Sequence, residues 1–111
     1  MTRVTTHVLD TTTGCPARGL SVRLERVGEG SGRALAEATT GADGRVADWL
    51  PAGVAPGRYR LVFATGPWLE AAGLPAFFPV VSVELELTGA EEHCHVPLLL
   101  APFAYSTYRG S

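Results

Sequence analysis

Hydrophobic and polar residues alternate along most of the chain, in short segments separated by glycine and proline. The sequence has thirteen glycines and eight prolines, and short alternating segments between such residues are typical of an all-β sandwich or barrel. Alternation is clearest at 80–87, where apolar residues point to one face of the predicted strand and polar residues to the other. We predict strands at Val4–Asp10, Ser21–Val27, Arg33–Thr40, Arg58–Thr65, Val80–Leu87, His93–Leu100 and Phe103–Tyr108.

Three segments between the strands carry other local patterns. Pro67–Gly73 predicts one short helix, because proline suits the first helical turn and glycine suits a helix end. Asp43-Gly44 predicts a tight turn before Arg45. The glycine-rich segment 28–32 joins two predicted strands and lacks the spacing of a phosphate-binding loop, so we interpret it as a hairpin loop.

Length and charge limit the classes of function. A chain of 111 residues suits one domain, 1–111, and can bury a core without disulfides or structural metal. All nine basic residues are arginines scattered along a chain of net charge -2, which argues against a nucleic-acid partner. No apolar run reaches the roughly 18 residues of a membrane span, and the first 13 residues do not resemble a secretion signal. We therefore expect a cytoplasmic protein with no membrane partner.

The histidines are the residues most suggestive of chemistry. His93 and His95 are one residue apart, so on a strand they share a face and could converge on one ligand. With His7 they could form a zinc site, supply a catalytic imidazole, or serve only as surface or capping residues. Spacing alone leaves these alternatives open. Cys15 and Cys94 are too few and too far apart in sequence for a disulfide framework or a paired metal site.

Three stretches of the chain together carry a recognisable pattern. The first is Thr-His-Val-Leu-Asp at 6–10 with Gly-Cys-Pro-Ala at 14–17, and the second is Asp-Gly-Arg at 43–45. The third combines 93–100 with 105–111, whose ending Tyr-Arg-Gly-Ser is the most specific part. Together these stretches resemble the 5-hydroxyisourate hydrolases of the transthyretin-like family. They occur in family order and span nearly the whole chain. The chain departs from the family pattern at three positions: Thr5, Cys94 and Ala101 replace a common serine, aromatic and serine, respectively.

The resemblance implies a reaction and the residues that perform it. It implies metal-independent and cofactor-independent hydrolysis of the N1–C6 bond of 5-hydroxyisourate, giving 2-oxo-4-hydroxy-4-carboxy-5-ureidoimidazoline in urate degradation. His7 and His95 would activate water, in an order that the sequence leaves open, and Arg45 would hold substrate oxygens and stabilise developing negative charge. Tyr108 would contact the purine and Ser111 the reacting water. His93 is expected to support the site or to lie on the surface.

The same resemblance implies the fold and the assembly. It implies two four-stranded sheets with one short helix, in a homotetramer whose sites lie in a channel at the dimer–dimer interface. The alternative is a non-catalytic carrier of the transthyretin type, built on the same scaffold. The ending Tyr108–Ser111 and the histidine at position 7 favour the hydrolase, since carriers of that type lack both.

Overall fold

The computed structural model describes residues 1–28 and 33–111, so residues 29–32 of the predicted hairpin loop lie outside the described part. In order along the chain, the described elements are β1 (Arg3–Asp10), β2 (Cys15–Pro16), β3 (Ser21–Arg26), β4 (Ala34–Thr39), β5 (Arg45–Val46), β6 (Gly57–Phe63), α1 (Thr65–Ala71), β7 (Val81–Leu87), β8 (His93–Ala101) and β9 (Ala104–Thr107).

The strands form two sheets, as the predicted all-β sandwich requires. One sheet has the order β2-β1-β8-β9, with the two-residue strand β5 also paired to β1, and the other has the order β4-β3-β6-β7. All seven predicted strands are present, with ends shifted by a few residues. The two-residue strands β2 and β5 were not predicted, because two residues are too few to display alternation.

The core lies between the sheets and takes alternate residues mainly from β1, β3, β6, β7 and β8. On β6, Tyr59, Leu61 and Phe63 are each at most 1% exposed, while the residues between them point outward. Leu24 of β3 and Leu98 of β8 are fully buried in the same cluster. Burying one side chain of this size stabilises the fold by about 1.5–3 kcal/mol relative to leaving it exposed. The hydrophobic pattern therefore decides which face of these strands is left for function.

The pairing of β1 with β8 is parallel, whereas the other strand pairs among the described residues are antiparallel. Its register places Arg3 opposite His93, Thr5 opposite His95, and His7 opposite Pro97. Residues directly opposite in a ladder lie on the same face of the sheet. The odd-numbered residues of β1 therefore share one face with the histidines of β8.

The outer face of the second sheet contains a buried carboxylate that strand alternation did not predict. Glu25 points away from the core, yet it is only 2% exposed. Arg23 and Arg60 donate hydrogen bonds to its two oxygens, and Arg60 also contacts Glu84. The arginines cover the carboxylate and compensate for the water that it loses, since a buried charge without a partner would be strongly destabilising.

Helix α1 begins two residues before the predicted start, at Thr65, so the preceding strand ends at Phe63 rather than at Thr65. Pro67 still falls in the first turn, where its missing N–H costs no helical hydrogen bond. The predicted stop is correct. Gly73 has φ +75°; its N–H donates to Glu70 O, and the N–H of Leu74 donates to Leu69 O. This pair of bonds is the Schellman arrangement that ends many helices.

The predicted turn before Arg45 forms and packs tightly against β1. Gly44 has φ +77°, and its carbonyl accepts a hydrogen bond from the N–H of Val8. A Cβ atom on Gly44 would lie 2.5 Å from the carbonyl oxygen of Val8 and 3.2 Å from Cδ2 of His7. Glycine is therefore required here both by backbone conformation and by space.

We expect Gly44→Ala to destabilise the protein more than Gly73→Ala. Both residues have similar positive φ, so both alanines carry about 1–3 kcal/mol of backbone strain. A Cβ atom on Gly73 meets nothing within 4 Å, whereas one on Gly44 clashes with the backbone of β1. Urea denaturation of the two variants measures the difference. Equal losses in the free energy of unfolding would show that the turn gives way and that the close packing is unimportant.

Candidate active site

A pocket of about 310 Å³ opens on the face shared by β1, β5 and β8. Small-molecule sites in proteins usually measure about 300–1,000 Å³, so a single small ring system is the size of ligand that fits. Its polar lining includes three of the residues predicted from the sequence, together with His93, Asp48 and three residues of β1. These polar residues are Arg45, His95, Ser111, His93, Asp48, Arg3, Thr5 and Thr6.

Arg45 reaches the pocket because the turn 41–45 folds back on β1. The register places Arg45 directly opposite His7. Asp43 Oδ1 accepts a hydrogen bond from the N–H of Arg45 at 3.0 Å, and Asp43 Oδ2 lies 4.0 Å from Arg45 Nε. The Arg45 side chain is 52% exposed, so its guanidinium keeps donors available for a ligand. The turn thus presents a permanent positive charge at the pocket.

His95 is the half-buried imidazole of the pocket. Its Nδ1 lies 2.8 Å from the hydroxyl oxygen of Thr5, so Nε2 is the ring nitrogen left for a ligand. Desolvation by burial lowers the pKa of His95 below its usual value, and the positive charge of Arg45 lowers it further, with smaller contributions from His93 and His7. A lowered pKa keeps the imidazole neutral near pH 7, which is the form that can accept a proton.

Thr5 is a site residue that the sequence reasoning missed. Its hydroxyl oxygen also lies 2.7 Å from Nε2 of the exposed His93, so it contacts both histidines of β8. Alternation on β1 could have identified it, because Thr5 shares a face with His7. In the family pattern Thr5 replaces a common serine, and both residues carry a hydroxyl group.

The tail 108–111 divides between the two sides of β8. The N–H of Gly110 donates to the carbonyl of His95 at 2.7 Å, and Ser111 lines the pocket that contains His95. Tyr108 instead lines a second pocket of about 270 Å³, on the opposite side of β8 with Cys94. Within one chain, the structure therefore does not bring Tyr108 together with Arg45 and His95.

His7 lies beside the pocket rather than in its lining. It follows Thr5 on the same face of β1 and packs against the turn at Gly44. It is near enough to His95 to contribute to the lowered pKa of that residue. In residues 1–28 and 33–111, no group of three His, Cys, Asp or Glu side chains is arranged to hold a metal ion. No helix in that part of the chain is long and apolar enough to cross a membrane.

Comparison with known proteins gives one consistent family. Residues 4–110 match the HIUase/Transthyretin family. The chain is 49% identical to a 5-hydroxyisourate hydrolase from Mesorhizobium japonicum, with 98% of this chain and 92% of that protein aligned. The structure of Klebsiella pneumoniae 5-hydroxyisourate hydrolase superposes with a TM-score of 0.90 at 40% identity, covering all of both chains.

The structure of sea bream transthyretin in complex with thyroxine is also similar, with a TM-score of 0.89 over 97% of this chain and 94% of that one. At 24% identity, that likeness shows the fold alone. The family match spans nearly the whole chain, and the identity to the hydrolases is well above that to transthyretin. The chain therefore belongs to the HIUase/Transthyretin family.

Proposed function

We propose that this protein hydrolyses 5-hydroxyisourate to 2-oxo-4-hydroxy-4-carboxy-5-ureidoimidazoline in urate degradation. The observation that carries the proposal is the meeting of Arg45, His95 and Ser111 in one small pocket, in a chain closely similar to proteins named for this activity. The reaction needs a base for water and a cation for the developing oxyanion, and these residues can supply both. That the protein works in the cytoplasm stays a prediction.

In the proposed reaction, neutral His95 takes a proton from water through Nε2 as the water oxygen attacks C6. The lowered pKa of His95 and the engagement of its Nδ1 by Thr5 support His95 in this role. The C6–N1 bond then breaks, and the imidazolium returns its proton to N1. The net change is addition of OH to C6 and H to N1, with no metal or cofactor required.

Arg45 would stabilise the oxygen of C6 as it becomes negatively charged. Its guanidinium carries five N–H donors in a planar fork and stays charged at any physiological pH. Losing a donor of this kind typically costs about 2.7–4 kcal/mol of transition-state stabilisation. The register of His7 opposite Arg45 supports a role for His7 in holding the same end of the substrate.

Ser111 would orient the attacking water, because it lines the pocket beside His95. Tyr108 would contact the purine, as the family resemblance implies, and its place in the second pocket means that this contact requires another subunit or a movement of the tail. We include a homotetramer with sites at the dimer–dimer interface in the proposal. Phe77 and Phe103 are each 66% exposed, and exposed aromatic side chains of this kind often mark subunit contacts.

A carrier function of the transthyretin type is not favoured. The likeness to transthyretin shows a shared fold, and a fold by itself does not establish a function. A carrier pocket for an apolar hormone would be lined mainly by apolar side chains. The pocket here contains arginine, histidine and serine instead.

We expect the purified protein to accelerate the loss of absorbance of freshly generated 5-hydroxyisourate above its spontaneous decay. His7→Ala, Arg45→Ala and His95→Ala should each lower kcat/KM by roughly a hundredfold or more, because each removes a base or a charged donor. His93→Ala should have a milder effect. Stopped-flow absorbance of all four variants measures this ranking.

Arg58→Ala is the matched control for Arg45→Ala. Arg58 is also an exposed arginine, and it forms an ion pair with Glu86. Both residues lie on the sheet that does not carry the pocket, so the loss of Arg58 should leave kcat/KM unchanged. No acceleration by the unaltered protein would refute the proposed function. A His93 variant as inactive as the His95 variant would refute the assignment of roles on β8.

The rate should depend on the protonation of His95. Because the base must be neutral, kcat/KM should rise with pH and level off above the pKa of His95. That pKa is lowered from 6.5 by burial and by neighbouring cations, so the midpoint of the rise should lie below 6.5. Removing the positive charge in Arg45→Ala should move the midpoint upward, even though the rate falls. A midpoint that is unchanged in Arg45→Ala would show that His95 is not the titrating base.

Two truncations test the tail separately from the fold. Removing Ser111 alone keeps the hydrogen bond from Gly110 to His95, whereas removing 108–111 deletes it. Both truncated proteins should lose turnover sharply, because misplacing a reacting group by about 1 Å can cost on the order of a hundredfold. Thermal melting should change little, since Tyr108 and Ser111 are exposed. Full activity in the longer truncation would rule out a catalytic tail.

A further inference from the structure

The hydroxyl group of Thr5 lies between the two histidine rings of β8. Its oxygen is 2.7 Å from Nε2 of His93 and 2.8 Å from Nδ1 of His95. The centroids of the two rings are 6.2 Å apart and the ring planes are inclined by 33°. At that separation the rings do not hydrogen-bond to each other directly. The parallel register, which places Thr5 opposite His95, fixes this arrangement in the backbone. The three side chains therefore form one chain of hydrogen bonds.

The number of available hydrogens limits how these three side chains can be hydrogen-bonded. A threonine hydroxyl donates one hydrogen bond and can accept two, and a neutral imidazole carries a hydrogen on only one of its nitrogens. Thr5 can therefore donate to His93 or to His95 but not to both. If Thr5 donates to Nδ1 of His95, the hydrogen of that neutral ring must sit on Nε2, and His95 cannot act as a base through Nε2. If His95 donates from Nδ1 to Thr5, Nε2 is free to accept a proton.

We propose that Thr5 is a positioning residue that selects the tautomer of His95, with His93 as the acceptor that makes the selection possible. Nε2 of His93 accepts the hydrogen of the Thr5 hydroxyl, and the Thr5 oxygen accepts the hydrogen on Nδ1 of His95. Nε2 of His95 is then unprotonated in the neutral ring. The importance of this state for the rate rests on the proposed function, but the state itself can be measured without any substrate.

The different surroundings of the two histidines agree with these different roles. His95 is half-buried beside Arg45, where a base for a bound ligand is useful, whereas His93 is exposed at the start of β8. His93 needs only to offer Nε2 to the Thr5 hydroxyl, which it can do from the edge of the pocket. Its role is then to orient Thr5 rather than to touch the substrate.

The proposal is tested by measuring the tautomer of His95 and the turnover rate in the same set of variants. In protein labelled with ¹⁵N in its histidine rings, long-range ¹H–¹⁵N spectra at a pH where His95 is neutral show which nitrogen carries the hydrogen. We expect the Nδ1–H form for His95 in the unaltered protein and in Thr5→Ser, which keeps the hydroxyl. Thr5→Val keeps the shape and the branched Cβ atom but has no hydroxyl, so its His95 should shift toward the Nε2–H form.

Turnover should follow the tautomer. Thr5→Val should lower kcat about tenfold with little change in KM, the scale expected for one lost hydrogen bond, and Thr5→Ser should stay within about twofold of the unaltered protein. His93→Ala should lower kcat to a similar extent. The double variant Thr5→Val with His93→Ala should be no slower than the slower single variant, because both changes break the same chain.

Several results would overturn the proposal. An Nε2–H form of His95 in the unaltered protein would do so, as would an unchanged tautomer in Thr5→Val. Additive losses in the double variant would show that Thr5 and His93 act independently. Thr5→Ala serves as a second hydroxyl-free variant if Thr5→Val does not fold. A protein that shows the expected tautomers but does not accelerate 5-hydroxyisourate decay would refute the proposed function and leave the tautomer selection standing.

Discussion

Eight consecutive residues of β1 pair in parallel with β8, and both the core and the site depend on this pairing. Val4 and Val8 are buried between the sheets, so the residues that alternate with them must face the other way. A shift of one residue would turn the whole set over, exposing valines and burying histidine and arginine. Such a shift would lose buried apolar surface and is therefore unfavourable, so Thr5 and His7 stay on the same face as the β8 histidines.

The chemistry of the pocket follows from a few polar groups with limited freedom. The turn at Gly44 supplies Arg45 from one side, and the carbonyl of His95 binds the tail through Gly110 from the other. Burial and the nearby cation lower the pKa of His95, which favours its neutral form. A neutral imidazole beside a permanent cation can both take a proton from water and tolerate negative charge on a neighbouring oxygen. Positioning by the strands makes these two properties available to one ligand.

The same sandwich is found in a thyroxine-binding transthyretin, which shows how little the fold itself says about chemistry. In this chain, the polar side chains of the pocket are ones that the core does not require. Arg45 and His93 are exposed and His95 is half-buried, so replacing them would remove little buried apolar surface. The strands that carry the pocket are held by their opposite faces, so its polar side chains can be replaced without rebuilding the core.

Alternation along the sequence determined the all-β class and the seven longer strands of the described residues, and it indicated most of their buried faces, because burial repeats every two residues in a strand that packs on a core. Local backbone chemistry also determined the turn at Gly44 and the helix stop at Gly73. The shared face of His93 and His95 followed from the same periodicity. The family resemblance added Arg45 and Ser111 to the expected site, which spacing alone could not do.

Only the tertiary structure decided which separate segments meet. Parallel pairing of β1 with β8 joins residues about 90 positions apart in sequence, and no local pattern encodes that partner or its register. For this reason the contact of Thr5 with both histidines was not predicted, nor was the covering of Glu25 by two arginines. The placement of Tyr108 on the other side of β8 has the same cause. Side-chain alternation indicates which face of a strand a residue occupies, but long-range strand pairing determines which residues lie beside it on that face.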